Sequence, residues 1–349
     1  MVKNLFTQKI DAFIVNSPVN RFYFTKFNAS WGSVLLHKDR KIFYTDARYG
    51  ESAIAKVKDF EVKIVKAKDY LEAISADLKT LAVKTLGYED NFVSVGAFKN
   101  LKKELVDFTF KEASEFIDKE RLIKSDYEIT KIRACQAVAE KVFDKVVATI
   151  IKPGITEKEV KTALIIESLK LGADDMAFEP IVCFSENASI PHHKASDRKF
   201  VKNDVVLIDF GVRIDGYNSD MTRTFCLGEP SEKMQYIYNT VLDAQEYVLK
   251  YLKAGITCKE ADALAREFIK ANDYEKEFSH SLGHGIGLNV HESPFLSEHK
   301  EDMLLPGMVV TVEPGIYIEG VGGVRIEDMI VIKEDGIENL TATKKEFIL

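Results

Sequence analysis

DVVLIDFGVRIDGYNSDMTRTFCL, residues 204–227, carries two aspartates inside an otherwise apolar hairpin. Its centre, Asp215-Gly216, is a favoured type I′ turn. With those two residues at the turn, Ile214 faces Tyr217 and Gly211 faces Asp220. Asp209 lies two residues before Gly211, so it projects from the same face as Asp220, with Gly211 leaving space between them. Aspartate is depleted in strands, and the run VVLI directly before Asp209 implies burial. Like charges held that close repel unless cations lie between them. The alternative is a solvated pair on an exposed face, and a bulge in the second strand would break the register.

Three further segments carry donors of the same kind. His284 stands in GHGIG (283–287), where flanking glycines let backbone approach closely. His280 lies four residues before it and His291 seven after, and IPHHKASD holds His192 and His193. The remaining histidines, His37 and His299, read as surface residues. VVTVEPG puts Glu313 at the end of a buried strand stopped by Pro314. VRIEDMIVI reads as a second apolar strand with Arg325 and Glu327 on one face. For Glu327 the plain alternative is an ion pair with Arg325. Asp328 points the other way and is assigned no chemistry.

Asp209, Asp220, His284, Glu313 and Glu327 together are too many donors for one small ion. They suit two divalent metals sharing carboxylates, and hence metal-assisted hydrolysis. The oxygen-rich set favours Mn²⁺ or Co²⁺, with Fe²⁺ or Zn²⁺ as alternatives.

The 349 residues are enough for two domains. Hydrophobic residues make up 46% and charged residues 30%, the balance of a globular protein. A net charge of −7 without a basic block gives a nucleic-acid partner no electrostatic support. Cys135, Cys183, Cys226 and Cys258 form no CxxC pair and read as core residues in a reducing compartment. The opening MVKNLFTQKIDAFIV reads as free of a signal sequence, and no apolar run is long enough to span a bilayer. The expectation is a cytoplasmic protein.

DAFIVNS, GSVLLHK, KIFYTDA and KTLGYED read as strands. ARYGESAIAKVKD, DYLEAISADLKTL and FKNLKKELVD read as helices. Interleaved, they predict a small α/β domain with a mixed sheet over residues 1–120. YTDARYGE, with Asp46, Arg48 and Tyr49, reads as structural. A long helix then begins at Ser125, capped by a Ser125–Glu128 box, and stops at Lys152-Pro153-Gly154. Thr156 and Glu159 make a second box. Two later helices and a largely antiparallel sheet predict an α+β domain over 121–349.

The order Asp209, Asp220, His284, Glu313, Glu327, with these local motifs, resembles the pita-bread metallopeptidases from about residue 126 to the C-terminus. That family includes methionine aminopeptidase, aminopeptidase P and prolidase. The first domain resembles the creatinase-type N-terminal domain of the last two. The resemblance implies that Asp209 chelates one metal, Asp220 and Glu327 bridge both, and His284 and Glu313 complete the other site. It implies Glu313 as general base and His192 and His291 as groups that hold the scissile bond and its tetrahedral intermediate. His280, Tyr317 and Arg325 match positions that support or line the site. The implied reaction is removal of an N-terminal residue preceding proline, by a homodimer acting on peptides. Many prolidases carry an arginine shortly after the position of His291, but HESPFLS has Phe295 and no arginine. That favours an Xaa-Pro aminopeptidase over an Xaa-Pro dipeptidase. A catalytically inactive pita-bread binding module and a metal-free creatine-type amidinohydrolase are the readings from other classes, and both branches lack the full ligand set.

Overall fold

In a computed structural model of the chain, residues 9–349 are described. The expectation about a signal sequence rests partly on residues 1–8, which lie outside them. The described residues fall into two compact units divided between Arg121 and Leu122.

The first unit interleaves β1 (Ala12–Val15), α1 (Pro18–Thr25), β2 (Ser33–His37), β3 (Lys41–Thr45), α2 (Gly50–Lys56) and β4 (Glu61–Ile64). It continues with α3 (Tyr70–Thr80), β5 (Thr85–Tyr88), α4 (Val95–Glu104), β6 (Thr109–Glu112) and α5 (Ser114–Lys119). The strands form one sheet in the order β4-β3-β2-β1-β5-β6. β1–β2 and β2–β3 are antiparallel and the other pairs parallel, so the sheet is mixed as expected. Helix α1 was not anticipated. Its start signals are in the sequence: Pro18 opens the first turn and the Ser17 hydroxyl accepts from Asn20 N–H. His37, expected at the surface, is 6% exposed because β2 is an inner strand buried along its whole length. His299 is exposed as expected.

The second unit begins with α6 (Asp126–Thr149) and α7 (Glu157–Lys170), each opened by the capping box read from the sequence. Short strands follow: β7 (Asp175–Met176), β8 (Ile181–Phe184), β9 (Val205–Phe210), β10 (Val212–Ile214), β11 (Tyr217–Asn218) and β12 (Met221–Cys226). Helices α8 (Glu232–Tyr251) and α9 (Cys258–Ala271) lead to β13 (Gly283–Gly285), β14 (Glu292–Leu296) and β15 (Val309–Val312). The chain ends with β16 (Gly315–Ile318), β17 (Gly322–Arg325), β18 (Asp328–Lys333) and β19 (Gly336–Asn339). Val241, Ala244 and Val248 of α8 and Ala265 and Ile269 of α9 share one apolar cluster with Val310, Val312, Ile330 and Ile332. Each fully buried aliphatic side chain there contributes about 1.5–3 kcal/mol. Helices grouped apart from antiparallel strands make this unit α+β. The four cysteines are free and buried. Among the described residues no helix is long and apolar enough to cross a membrane.

The hairpin keeps its expected register. Asp215 and Gly216 both have positive φ, 52° and 82°, as a type I′ turn requires. Ile214 pairs with Tyr217 on one side of Gly211, and Asp209 with Thr222 on the other. No residue has been inserted between, so Gly211 still faces Asp220. The reason for the glycine is different from the expected one. A Cβ there would lie 1.7 Å from the Ser219 carbonyl oxygen, so it is the opposing backbone that excludes a side chain. VRIEDMIVI also departs from expectation, being two strands rather than one. Arg325 ends β17, and β18 starts at Asp328. Between them Glu327 N–H donates to Thr222 O of β12, which draws the chain off one ladder and onto another.

Candidate active site

The five donors arrive from five places on this framework. Asp209 is near the end of β9, Asp220 directly precedes β12, and His284 is the middle residue of β13. Glu313 follows β15, and Glu327 occupies the break between β17 and β18. Their segments interleave closely because glycines allow it. A Cβ on Gly283 would sit 2.1 Å from Thr311 O, and one on Gly285 2.3 Å from Ser293 O. His284 is thereby pressed between two strands with a single direction left for its ring.

All five line one cavity of about 460 Å³. Donor atoms of Asp220, His284 and Glu327 lie within 4.8 Å of one another. His284 Nε2 is 3.3 Å from Glu313 Oε1 and 3.7 Å from Asp220 Oδ2. The other ring nitrogen, Nδ1, is 3.1 Å from the Gly285 carbonyl, which can only accept. The Nδ1 proton is therefore committed, and Nε2 is the atom offered to the carboxylates. Thr311 Oγ1 donates to Glu313 Oε1 at 3.1 Å and accepts from His284 N–H at 3.0 Å. Thr222 Oγ1 donates to Glu327 Oε2 at 2.7 Å.

The electrostatics are those of anions confined together. Burial, and then the charge of Asp209, push the Asp220 carboxyl well above its usual range. Burial, and then Asp220, do the same to Glu327. Burial also raises Asp209, against the pull of Arg325. Burial opposes charging His284, yet its hydrogen bond to Glu313 and the neighbouring carboxylates outweigh it and push it up to about 9. Burial would raise Glu313, but His284 holds it down at about 2. Asp209 Oδ1 and Glu327 Oε1 are buried without any hydrogen-bond partner. Burying unpaired carboxylate oxygens in a dry pocket is costly. Divalent cations would satisfy both atoms and relieve the repulsion, so the donor set fits them.

A second layer holds this set in place. Arg325 Nη2 donates to Asp209 Oδ2 at 2.6 Å, and Nη1 to the Tyr317 hydroxyl oxygen at 2.8 Å. Tyr317 Oη is 2.9 Å from His280 Nε2, and His280 Nδ1 is 2.8 Å from Ser281 O. The carbonyl fixes the proton on Nδ1, so Nε2 accepts from Tyr317. Burial lowers the His280 pKa, in keeping with a neutral ring. A directed chain of hydrogen bonds thus runs from Asp209 through Arg325 and Tyr317 to His280.

His192 and His291 line the same cavity and are exposed within it. The His291 ring packs against His284, with centroids 4.3 Å apart. His193 also borders the cavity, but its Nε2 lies 2.9 Å from Glu157 Oε2 and is engaged there. Asp328 is buried in ion pairs with Arg223 and Lys345. Several participants were not singled out from the sequence. Thr222 and Thr311 each sit two residues from a site carboxylate, Asp220 and Glu313, so strand periodicity could have found them. Lys194 likewise lies two residues after His192. Glu157, buried at the start of α7, gave no signal beyond its place in the first turn.

The pattern of metallopeptidase family M24 matches residues 130–334, and that of the creatinase/prolidase N-terminal domain residues 2–123. The chain is 36% identical over 349 residues to the Xaa-Pro dipeptidase of Pyrococcus furiosus, covering 100% of this chain and 98% of that protein. It is similar to the solved structure of an Xaa-Pro dipeptidase from Bacillus anthracis, with TM-score 0.94 and 39% identity over 97% of this chain and 95% of that one. It is similar too to an X-Pro aminopeptidase from Thermotoga maritima, with TM-score 0.92 and 38% identity over 97% of this chain and 98% of that one. Family patterns that together span nearly the whole sequence, and relatives matched end to end, lead to one conclusion: the chain belongs to metallopeptidase family M24, in its pita-bread branch with a creatinase-type N-terminal domain.

Proposed function

We propose that this metallopeptidase cleaves the bond between an N-terminal residue and a following proline, with the Xaa-Pro dipeptide as its preferred substrate. The observation that carries the metal-dependent part is the convergence of all five donors on one cavity, two of them with orphaned oxygens. Preference for a dipeptide reverses, as a proposal, the order expected from Phe295 alone. It is supported by the relatives at 36% and 39% identity, both Xaa-Pro dipeptidases. The aminopeptidase reading stands second, supported by the relative from Thermotoga maritima.

In this reading Asp209, Asp220, His284, Glu313 and Glu327 would hold two divalent ions, Asp220 and Glu327 being the donors that would serve both. When bound, such ions supply a Lewis acid and an acidified water. The residues do the rest. Glu313 accepts the proton of the attacking water. His192 and His291 donate hydrogen bonds to the oxygen that becomes negative at the scissile carbonyl. Arg325, fixed by Tyr317 and His280, keeps Asp209 in one orientation. Phe178, Pro180, Pro191 and Phe295 offer the proline ring an apolar wall. An X-Pro bond has no N–H and a fixed ring, so a site shaped for it gains specificity from that wall. Retention of all five ligands argues against an inactive binding module. Mn²⁺ is the proposed ion, and a homodimer the proposed assembly, which scattering in solution would check.

Hydrolysis of Ala-Pro and Ala-Pro-Ala, each with and without Mn²⁺, tests the reading. Metal-dependent cleavage with the dipeptide ahead supports it. Tripeptide cleavage alone makes the enzyme an aminopeptidase, and cleavage of neither removes the proline-specific reading.

A further inference from the structure

A dipeptide differs from a longer peptide by one charge: its carboxylate sits directly on the proline. Five carboxylates line the cavity, Glu179 as well as Asp209, Asp220, Glu313 and Glu327. A substrate carboxylate leaving water for such a cavity is disfavoured unless a cation or hydrogen-bond donor meets it. A dipeptide-specific site therefore needs a cation that those acids leave uncommitted. The segment after His291, where Phe295 stands, provides none.

Among the described residues, two lysine or arginine side chains line the cavity, Arg325 and Lys194. Arg325 is 3% exposed and committed to Asp209 and Tyr317. Lys194 is exposed and makes no ion pair among the described residues. Glu179, which lines the same cavity, is bonded to Lys161. Lys194 also stands on anchored backbone rather than on a free loop. Two residues on, Ser196 donates to Glu157 Oε2 through N–H at 2.8 Å and through its hydroxyl at 2.6 Å. On the other side His193 Nε2 binds the same carboxylate oxygen at 2.9 Å. Glu157 Oε1 in turn takes Phe184 N–H and Asn187 Nδ2 at 2.8 and 2.9 Å. One buried carboxylate thus ties down the segment that presents His192 and Lys194 from alternate positions. Two residues of chain span at most about 7 Å, so His192 and Lys194, which line one cavity, are separated on the length scale of a dipeptide.

We propose that Lys194 is the specificity-determining residue that receives the C-terminal carboxylate of an Xaa-Pro dipeptide. This rests on the proline-specific reading above. Phe295 then serves as apolar wall for the ring rather than marking a lost charge-binding site. Lys194 is a positioning and recognition group and takes no part in bond cleavage.

The test compares Ala-Pro with its C-terminal amide, which keeps the scissile bond and removes the charge. Both are assayed on the Mn²⁺-loaded enzyme, on Lys194→Ala, on Lys194→Glu and on Lys194→Arg. The expected result is that Lys194→Ala lowers the ratio of kcat/KM for dipeptide over amide by roughly ten-fold, the size of one charge-assisted contact. Lys194→Glu should lower it further, and Lys194→Arg should restore most of it. For the wild type, KM for the dipeptide should rise with added salt more than KM for the amide. A ratio left within about two-fold by Lys194→Ala and Lys194→Glu overturns the assignment while the dipeptidase reading stands. Wild-type enzyme that cleaves neither compound overturns the proline-specific reading, and the assignment with it.

Discussion

Arg325 donates to one oxygen of Asp209 at 2.6 Å, while the other oxygen of Asp209 is buried with no partner at all. The guanidinium thus neutralises and aims the carboxylate without filling its coordination. An acid that served only in an ion pair would have both oxygens satisfied. The ion-pair alternative considered for Glu327 gives way to this arrangement: the arginine is bound to Asp209, and Glu327 takes Thr222 instead.

Replacing Arg325 by methionine leaves Asp209 buried without its countercharge. The metal-free protein should lose about 3–5 kcal/mol of stability in urea unfolding. With saturating Mn²⁺ the deficit should shrink, because a cation then compensates Asp209. An equal deficit with and without metal would show that Asp209 is no ligand.

Glu313→Gln keeps the shape of the side chain and removes its basicity. Turnover should fall about 10²- to 10⁴-fold, with a much smaller change in KM. Elemental analysis run alongside separates loss of the base from loss of metal. Near-normal kcat would exclude Glu313 as the proton acceptor.

Asp220→Ala removes a donor proposed to be shared by both ions. The purified variant should retain less than the wild-type metal content and lose metal-dependent hydrolysis. Its circular dichroism should remain close to that of the wild type, because the removed carboxylate is an electrostatic burden on the metal-free fold.

The metal-free protein should become less stable as pH rises from about 5 to about 9. Asp209, Asp220 and Glu327 are raised in the folded state above their ordinary values of 3.8, 3.8 and 4.5. Their contribution is full below those values and is lost as pH climbs through the raised ones. His284, raised from 6.5 to about 9, acts in the same direction over the upper part of the range. Glu313, lowered to about 2, works oppositely but only as pH falls below 4.5, and His37, His280 and His291, lowered by burial, work oppositely only below 6.5. Melting temperature against pH, with EDTA and with Mn²⁺, checks this. The metal should flatten the curve, and parallel curves would contradict the proposed ligand set.

Gly211→Ala drives a methyl group into the Ser219 carbonyl, so one strand of the hairpin must move. About 3 kcal/mol or more of stability should be lost, together with metal affinity, because Asp209 and Asp220 are displaced from each other. Gly154→Ala makes a useful control, since its Cβ would meet nothing within 4 Å and the variant carries only the strain of a positive φ.

Much of this was legible along the chain because the information is local. The type I′ turn at Asp215-Gly216 sets the hairpin register by backbone handedness alone, and that register puts Asp209 and Asp220 together. The capping boxes at Ser125 and Thr156 fix helix starts by hydrogen bonds spanning three residues. Period-two alternation could equally have flagged Thr222 and Thr311. The rest depends on contacts between segments far apart in the chain. At the break, Glu327 is held by Thr222, 105 residues earlier, through both its backbone N–H and its carboxylate. His193 and His192 are adjacent, chemically identical and both border the cavity, yet Glu157 engages the ring of His193. The sequence by itself determined which donors exist, their order and the local turns that carry them. Only the tertiary structure decided which oxygens stay unpaired, which cation is spent on Asp209 and, among the described residues, that Lys194 lines the cavity without an ion pair, because pairing and burial depend on which distant groups the fold brings within hydrogen-bonding reach.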